Sequence, residues 1–140
     1  GTNFEKEKYL YHIHEKGLEQ YVILKGQYSH IETLNLLAIA DVYVQTSINE
    51  GFCNAVLEAQ ALGVPSVAFK VGGLQENIMD HKTGWLIEPF DVKLMAETII
   101  KISGLTHNEK TKISEQAMNR VHDQFDLDLQ KQAFHEFYMQ

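Results

Sequence analysis

The sequence predicts an α/β fold: a doubly wound parallel, Rossmann-like sheet with helices on both faces. Two observations carry that reading. The apolar runs "YVILK", "VYVQT", "SVAF" and "WLIE" are short and nearly continuous rather than alternating, which is the pattern of strands buried on both faces. Between them lie segments with helical spacing and recognisable caps, and a strand–helix–strand alternation makes a parallel sheet with right-handed crossovers.

The elements follow in order. Residues 3–16 are polar with Leu10 and Ile13 on one side, and Gly17 is placed to cap the helix they predict. Residues 21–25 predict a short buried strand ending at Gly26, residues 31–40 a helix, and residues 42–46 a second buried strand. Helix is expected from Asn54 to Leu62, closed by Gly63 and followed by Pro65, and then strand at 66–69. A glycine turn and a short helix at 74–80 lead to strand 85–88. Asp91 should cap a helix from 92 to 103, and Thr106-x-x-Glu109 has the form of a capping box for the next one. Asp126 opens a last helix whose Leu129, Ala133, Phe134, Phe137 and Tyr138 have helical spacing, a stripe for the core or for docking a further domain.

Composition narrows the function. The chain has 140 residues, 44% hydrophobic and 22% charged, the range of one soluble globular domain. No apolar run reaches the 18 or so residues a membrane span needs, and no signal peptide opens the chain. A single cysteine excludes an internal disulfide framework and agrees with a reducing, cytoplasmic setting. A net charge of −7 argues against nucleic acid as a partner. Arg120 is the only arginine, so an anion site earlier in the chain must use lysines, backbone N–H groups or helix ends. The seven histidines are scattered, and His12 and His14 lack metal-ligand spacing.

The chemistry concentrates in "SINEGFCNAVLEAQALGVPSVAFKVGGLQENIMDHKTGWLIEP", residues 47–89. Ligands of doubly wound sheets bind beyond the C-terminal ends of the strands. Three loops fall at such ends: Gly26–Ser29, Ser47–Asn54 and Lys70–Leu74. The helix starting near Asn54 points its first N–H groups into that crevice, where they favour a phosphate. Glu58, one turn along, suits the two hydroxyls of a ribose, and Glu50 lies before the turn, near whatever is attached beyond the phosphates. Phosphate, ribose and a further polar group together describe a sugar nucleotide. Lys70 also follows a strand end, although a solvated lysine is the plainer reading. No Gly-x-Gly-x-x-Gly follows any strand, which disfavours a dinucleotide cofactor.

At these residues the sequence resembles the C-terminal, donor-binding domain of GT-B-fold retaining glycosyltransferases, the glycosyl transferases group 1 family. The family's Ser-x-x-Glu-Gly-Phe-Pro-Asn, Glu-Ala-Met-Ala, Gly-x-Pro-Val-Val-Ala and Val-Gly-Gly-x-x-Glu appear in order. Here they read Ser47-Ile48-Asn49-Glu50-Gly51-Phe52-Cys53-Asn54, Glu58-Ala59-Gln60-Ala61, Gly63-Val64-Pro65-Ser66-Val67-Ala68 and Val71-Gly72-Gly73-Leu74-Gln75-Glu76. Thr83-Gly84-Trp85-Leu86 and Pro89 complete the pattern, and Ala40-Asp41-Val42-Tyr43-Val44 leads into it.

The resemblance implies roles. Glu50 is the catalytic glutamate that contacts the donor sugar. Gly51, Phe52 and Cys53 turn their backbone to that sugar, Asn54 and Ala55 meet the diphosphate, Glu58 binds the ribose, and Gln27 and Tyr28 line the base pocket. It implies a nucleotide-diphospho-sugar donor, retaining transfer of a hexosyl group to a glycan, lipid or polysaccharide acceptor, and neither cofactor nor metal. Two positions depart from the pattern. Cys53 stands where proline is usual, where a small buried filler is a better reading than an activated thiol. Gln60 stands where methionine is usual, adjusting packing or meeting solvent.

The resemblance also implies that the first two strands of this domain, with their phosphate-binding basic residues, and the N-terminal acceptor domain are missing. The chain then reads as one partial donor-binding domain, residues 1–140, of a longer cytoplasmic enzyme, which in full length can sit peripherally at a membrane. The isolated piece should be inactive. In the order 3-2-1-4-5-6 the absent strands are central ones, so residues 21–25 and 42–46 would carry exposed edges and self-association is expected. The alternative is a non-catalytic Rossmann-like nucleotide-binding or interaction module.

Overall fold

A computed structural model describes residues 3–125. The chain divides into two compact units, Gly1–His30 and Ile31–Gln140.

In the first unit, α1 spans Asn3–Glu15. Gly17, at φ +63, ends it: its N–H bonds the carbonyl of His14 at 3.0 Å, and the N–H of Leu18 bonds that of Ile13 at 2.9 Å. These are the two bonds of a Schellman cap. The strand expected at 21–25 is not formed. Residues 22–29 have no regular structure, and Tyr21 and Ile23 are 80% and 71% exposed. The physical reason is pairing: an extended segment holds its conformation when a neighbour takes its N–H and C=O groups. No described strand pairs with this one, and the N–H groups of Tyr21 and Val22 turn back to the Leu18 carbonyl.

The second unit holds the sheet. Its strands are β1 (Tyr43–Gln45), β2 (Ser66–Phe69) and β3 (Gly84–Ile87), all parallel, in the order β1-β2-β3. Val44 lies beside Val67, and Val67 beside Trp85. The order corresponds to strands 4-5-6 of the doubly wound arrangement. α2 (His30–Ala38) precedes β1, α3 (Asn54–Ala61) joins β1 to β2, and α4 (Leu74–Asn77) joins β2 to β3. α5 (Val92–Ser103) and α6 (His107–Phe125) follow.

Both faces of the sheet are covered, which is why its strands read as unbroken apolar runs. On one face Val67, Phe69, Trp85 and Ile87 pack with Met95 and Ile102 of α5. On the other, Ala68 packs with Val56 of α3, with Leu74 of α4 and with Ile78. A smaller cluster of Leu37, Ala59 and Val64 holds α2 to α3.

The predicted caps form. The Asp91 carboxylate accepts from the N–H of Leu94 at 2.9 Å. Glu109 accepts from the N–H of Thr106 at 2.9 Å, while the Thr106 hydroxyl accepts from the N–H of Glu109 at 3.4 Å. The short helix predicted at 74–80 stops at Asn77, and the Asp126 helix with its Phe134–Tyr138 stripe lies outside the described residues.

Candidate functional site

The site is built where β1 and β2 end. β1 runs into the loop 46–53 and then into α3, and β2 runs into the turn 70–73 and then into α4. The two loops touch through their backbones: the N–H of Gly73 donates to the carbonyl of Glu50 at 3.1 Å. A Cβ on Gly72 would collide with the Glu50 carbonyl oxygen, and one on Gly73 with that of Gly51. The paired glycines therefore exist so that one loop can lie against the other's main chain.

Glu50 is half-buried and held by a short relay. The Tyr43 hydroxyl donates to Gln45 Oε1 at 2.5 Å. That fixes the amide, whose Nε2 then donates to Ser47 Oγ at 2.6 Å and to Glu50 Oε2 at 3.3 Å. Tyr43 is fit for the donor's part. Its pKa is pushed up to about 12, first by burial and then by the negative potential of Cys53, Glu50 and Glu58, so the phenol stays protonated. Glu50 and Glu58 both lie near enough for their charges to act on that phenol. Glu58 itself is half-buried on α3.

Cys53 is the N-cap residue of α3, with extended backbone and no side-chain cap. Asn54 is exposed and Ala55 half-buried at the helix start, where the first N–H groups have no partner within the helix. Gly51 faces open space: a Cβ there would meet nothing within 4 Å. Phe52 is 46% exposed, with its ring 5.6 Å from that of Phe125.

The structure thus brings together Glu50, Gly51, Phe52, Cys53, Asn54, Ala55 and Glu58. Gln27 and Tyr28 belong to the N-terminal unit. Lys70 pairs with Glu88 at 3.3 Å, both exposed, in agreement with the plainer reading of that lysine. Of the two readings of Gln60, packing and not solvent holds: it is fully buried, and its Nε2 donates to the Asn77 carbonyl at 3.0 Å. Arg120 reaches the same carbonyl at 2.7 Å and that of Glu76, closing the last turn of α4.

Sequence reasoning missed Tyr43, Gln45 and Asn77. Tyr43 and Gln45 look like ordinary strand residues, and only their alternation toward one face at a strand end could have flagged them. Among the described residues no group of three or more His, Cys, Asp or Glu side chains is arranged to hold a metal. None of the described helices is long and apolar enough to cross a membrane. A cavity of about 450 Å3 lined by His81, Trp85, Lys101 and Lys112 shares no residue with the site.

Parallel strands, a glutamate before the helix start and a second one turn inside it agree with the donor-domain layout that the sequence resemblance implies. Residues 1–120 match the sequence model described as glycosyl transferases group 1. The chain is 33% identical over 100 residues to D-inositol 3-phosphate glycosyltransferase of Corynebacterium urealyticum, covering 71% of this chain and 24% of that protein. Among solved structures it superposes on sucrose-phosphate synthase from Thermosynechococcus elongatus with TM-score 0.88 and 27% identity, over 96% of this chain and 34% of that one. It superposes on Anabaena HepE, solved in complex with UDP-glucose, with TM-score 0.86 and 26% identity, over 98% of this chain and 37% of that one. The chain belongs to the glycosyl transferases group 1 family. It spans about a quarter of the length of that inositol-phosphate enzyme.

Proposed function

We propose that the chain is the donor-binding part of a retaining glycosyltransferase that takes a nucleotide-diphospho-sugar and transfers its hexosyl group to a glycan, lipid or polysaccharide acceptor. The observation that carries the reading is the placement of Glu50 in the loop between β1 and the N-terminus of α3, where Gln45 at the end of β1 orients it, with Glu58 one turn inside that helix. The UDP-glucose complex of the similar HepE supports it.

In this reading the Glu58 carboxylate accepts from the ribose hydroxyls, and the first N–H groups of α3 face the diphosphate. Glu50 Oε2 is occupied by Gln45, which leaves Oε1 to accept from a donor-sugar hydroxyl. Transfer breaks the bond from the anomeric carbon to the diphosphate oxygen and forms one to an acceptor hydroxyl on the same face, whose proton passes to the departing diphosphate oxygen. Negative charge gathers on the departing diphosphate, opposite the positive end of α3. Positive charge gathers at the anomeric carbon, and the oriented Glu50 carboxylate stabilises it. The domain works as one partial unit, residues 1–140, of a longer enzyme that supplies the acceptor site; no cofactor or metal takes part in these steps.

The test is an NMR titration of the chain with UDP-, GDP- and ADP-glucose, with Glu58→Ala as control. Shifts at residues 50–58 that name one base and weaken by about 1.5–3 kcal/mol in the variant are expected, the worth of a hydrogen bond to a charged group. Shifts that persist undiminished in Glu58→Ala would remove that residue from the site.

A further inference from the structure

The two positions where this chain departs from the family motif, Cys53 and Gln60, both turn out to bond one residue that the motif does not specify. Asn77 is fully buried at the end of α4. Its Oδ1 accepts from the N–H of Cys53 at 3.1 Å, across the gap between the two loops. Its carbonyl accepts from Gln60 Nε2 at 3.0 Å and from Arg120 Nη1 at 2.7 Å. A proline at position 53 would bring no N–H, and a methionine at 60 would bring no donor. Cysteine and glutamine each add a donor, and each finds its acceptor on Asn77.

This linkage ends on the loop that carries Glu50. Cys53 closes that loop and caps α3. Arg120 stands 4.9 Å over the Phe125 ring, and that ring packs on Phe52 of the same loop. The loop is therefore gripped twice from behind: at Cys53 through Asn77, and at Phe52 through α6. Only the Asn77 oxygen is engaged, since its Nδ2 has no hydrogen-bond partner.

We propose that Asn77 is a positioning residue for the Glu50–Cys53 loop: it satisfies the Cys53 N–H that this chain has in place of a proline, and so fixes the loop against the donor. The part about the donor rests on the function proposed above. An N–H left buried without an acceptor is costly, so without Asn77 the loop must move to solvate it. With proline at 53 there is no N–H to satisfy, and Asn77 becomes dispensable.

The experiment uses the 140-residue chain with Asn77→Leu, Asn77→Asp, Cys53→Pro and the double Cys53→Pro/Asn77→Leu. Amide hydrogen exchange at Cys53, amide shifts of residues 50–52 and a UDP-glucose titration are read on each that has the probe. Asn77→Leu should speed Cys53 exchange by at least about tenfold and move the 50–52 amides, the loss of one buried hydrogen bond. Asn77→Asp keeps the acceptor oxygen and should restore both. The double variant should hold the 50–52 amides and the donor affinity nearer wild type than Asn77→Leu does. If Asn77→Leu does not fold, the Asp and proline variants still decide: unprotected Cys53 in Asn77→Asp overturns the proposal. So does unchanged Cys53 exchange in Asn77→Leu, or a double variant whose effects are the sum of the singles. If wild type fails to bind any of the three sugar nucleotides, the proposed function falls, whereas exchange and shifts still judge Asn77.

Discussion

Gly73→Ala isolates the contact on which the site is built. Gly73 sits at φ −67 and ψ −10, ordinary helical backbone that alanine adopts freely. By conformation alone the substitution should stabilise by about 0.4–1 kcal/mol, through the unfolded chain. The new Cβ would land on the Gly51 carbonyl oxygen and 3.2 Å from the Phe52 nitrogen. Both are backbone atoms, so no side chain can swing aside. Overpacking of this kind costs about 1–3 kcal/mol. Retreat of the turn would also break the bond from the Gly73 N–H to Glu50, about 0.5–1.5 kcal/mol. The net expectation is destabilisation by about 0.5–4 kcal/mol, a fall of roughly 0.25–2 M in the urea midpoint at an unchanged slope of about 2 kcal/mol/M. Gly51→Ala is the control: its Cβ meets open space, so stability should hold while donor titration weakens, because the methyl enters the space meant for the sugar. A Gly73→Ala midpoint equal to wild type would refute the claim that the loops are locked by backbone contact.

Glu50→Gln in the full-length enzyme should cut transfer by at least about a hundredfold while donor affinity falls much less, as expected for a group acting in the transition state; undiminished turnover would remove Glu50 from the chemistry. Gln45→Leu should lower turnover in the same direction by a smaller factor, since Glu50 loses its orienting donor; an unchanged rate would make the Tyr43–Gln45 relay purely structural. Bonds from Thr106 hold the Glu109 carboxyl below its ordinary pKa. A depressed carboxyl stabilises above its unfolded pKa and loses that contribution as pH falls through the folded value. Wild type should therefore exceed Glu109→Gln in stability near neutrality and converge with it in acid, and a pH-independent difference would count against the capping box. The outer edge of β1 is unpaired among the described strands, and Ile39 and Ile48 near it are 81% and 61% exposed. Light scattering should show self-association that rises with concentration, and a monodisperse monomer at high concentration would refute it.

Much of this was legible because it is local. Helix caps at Asp91, Thr106 and Gly17 are decided within a few residues, and each formed where its spacing predicts. The strands 66–69 and 85–88 were legible because cover on both faces leaves Val67–Phe69 and Trp85–Ile87 without a polar position. The segment 21–25 has the same composition and did not form a strand. Its side chains were right for a sheet, but no described strand pairs with it, so apolarity alone misled. The glutamate pair was visible by motif. The orienting Tyr43 and Gln45 were not, because their role depends on which face of β1 reaches the loop. Asn77 was invisible in a deeper sense: 24 residues separate it from the N–H it accepts, and only the parallel crossover from β1 through α3 to β2 closes that distance.

One tension in the site is electrostatic, and its resolution sets how the chain should bind. On the function proposed above, two carboxylates flank a helix start that would receive a diphosphate, in a chain of net charge −7. The usual counterweight would be arginine. The only one here spends its guanidinium on the carbonyls of Glu76 and Asn77 and on the Phe125 ring, and Lys70 is paired with Glu88. On that reading the α3 N-terminus faces the phosphates, worth about 0.3–1 kcal/mol for an anion. The carboxylates then make sense as hydroxyl acceptors that gain nothing from the phosphates, and the ribose and sugar must carry most of the affinity in this chain. Such binding should be weak and nearly indifferent to salt, because few fixed cations take part. A donor affinity that falls steeply between low and high ionic strength would mean that a cluster of lysines, and not the glutamate pair and helix end, holds the nucleotide.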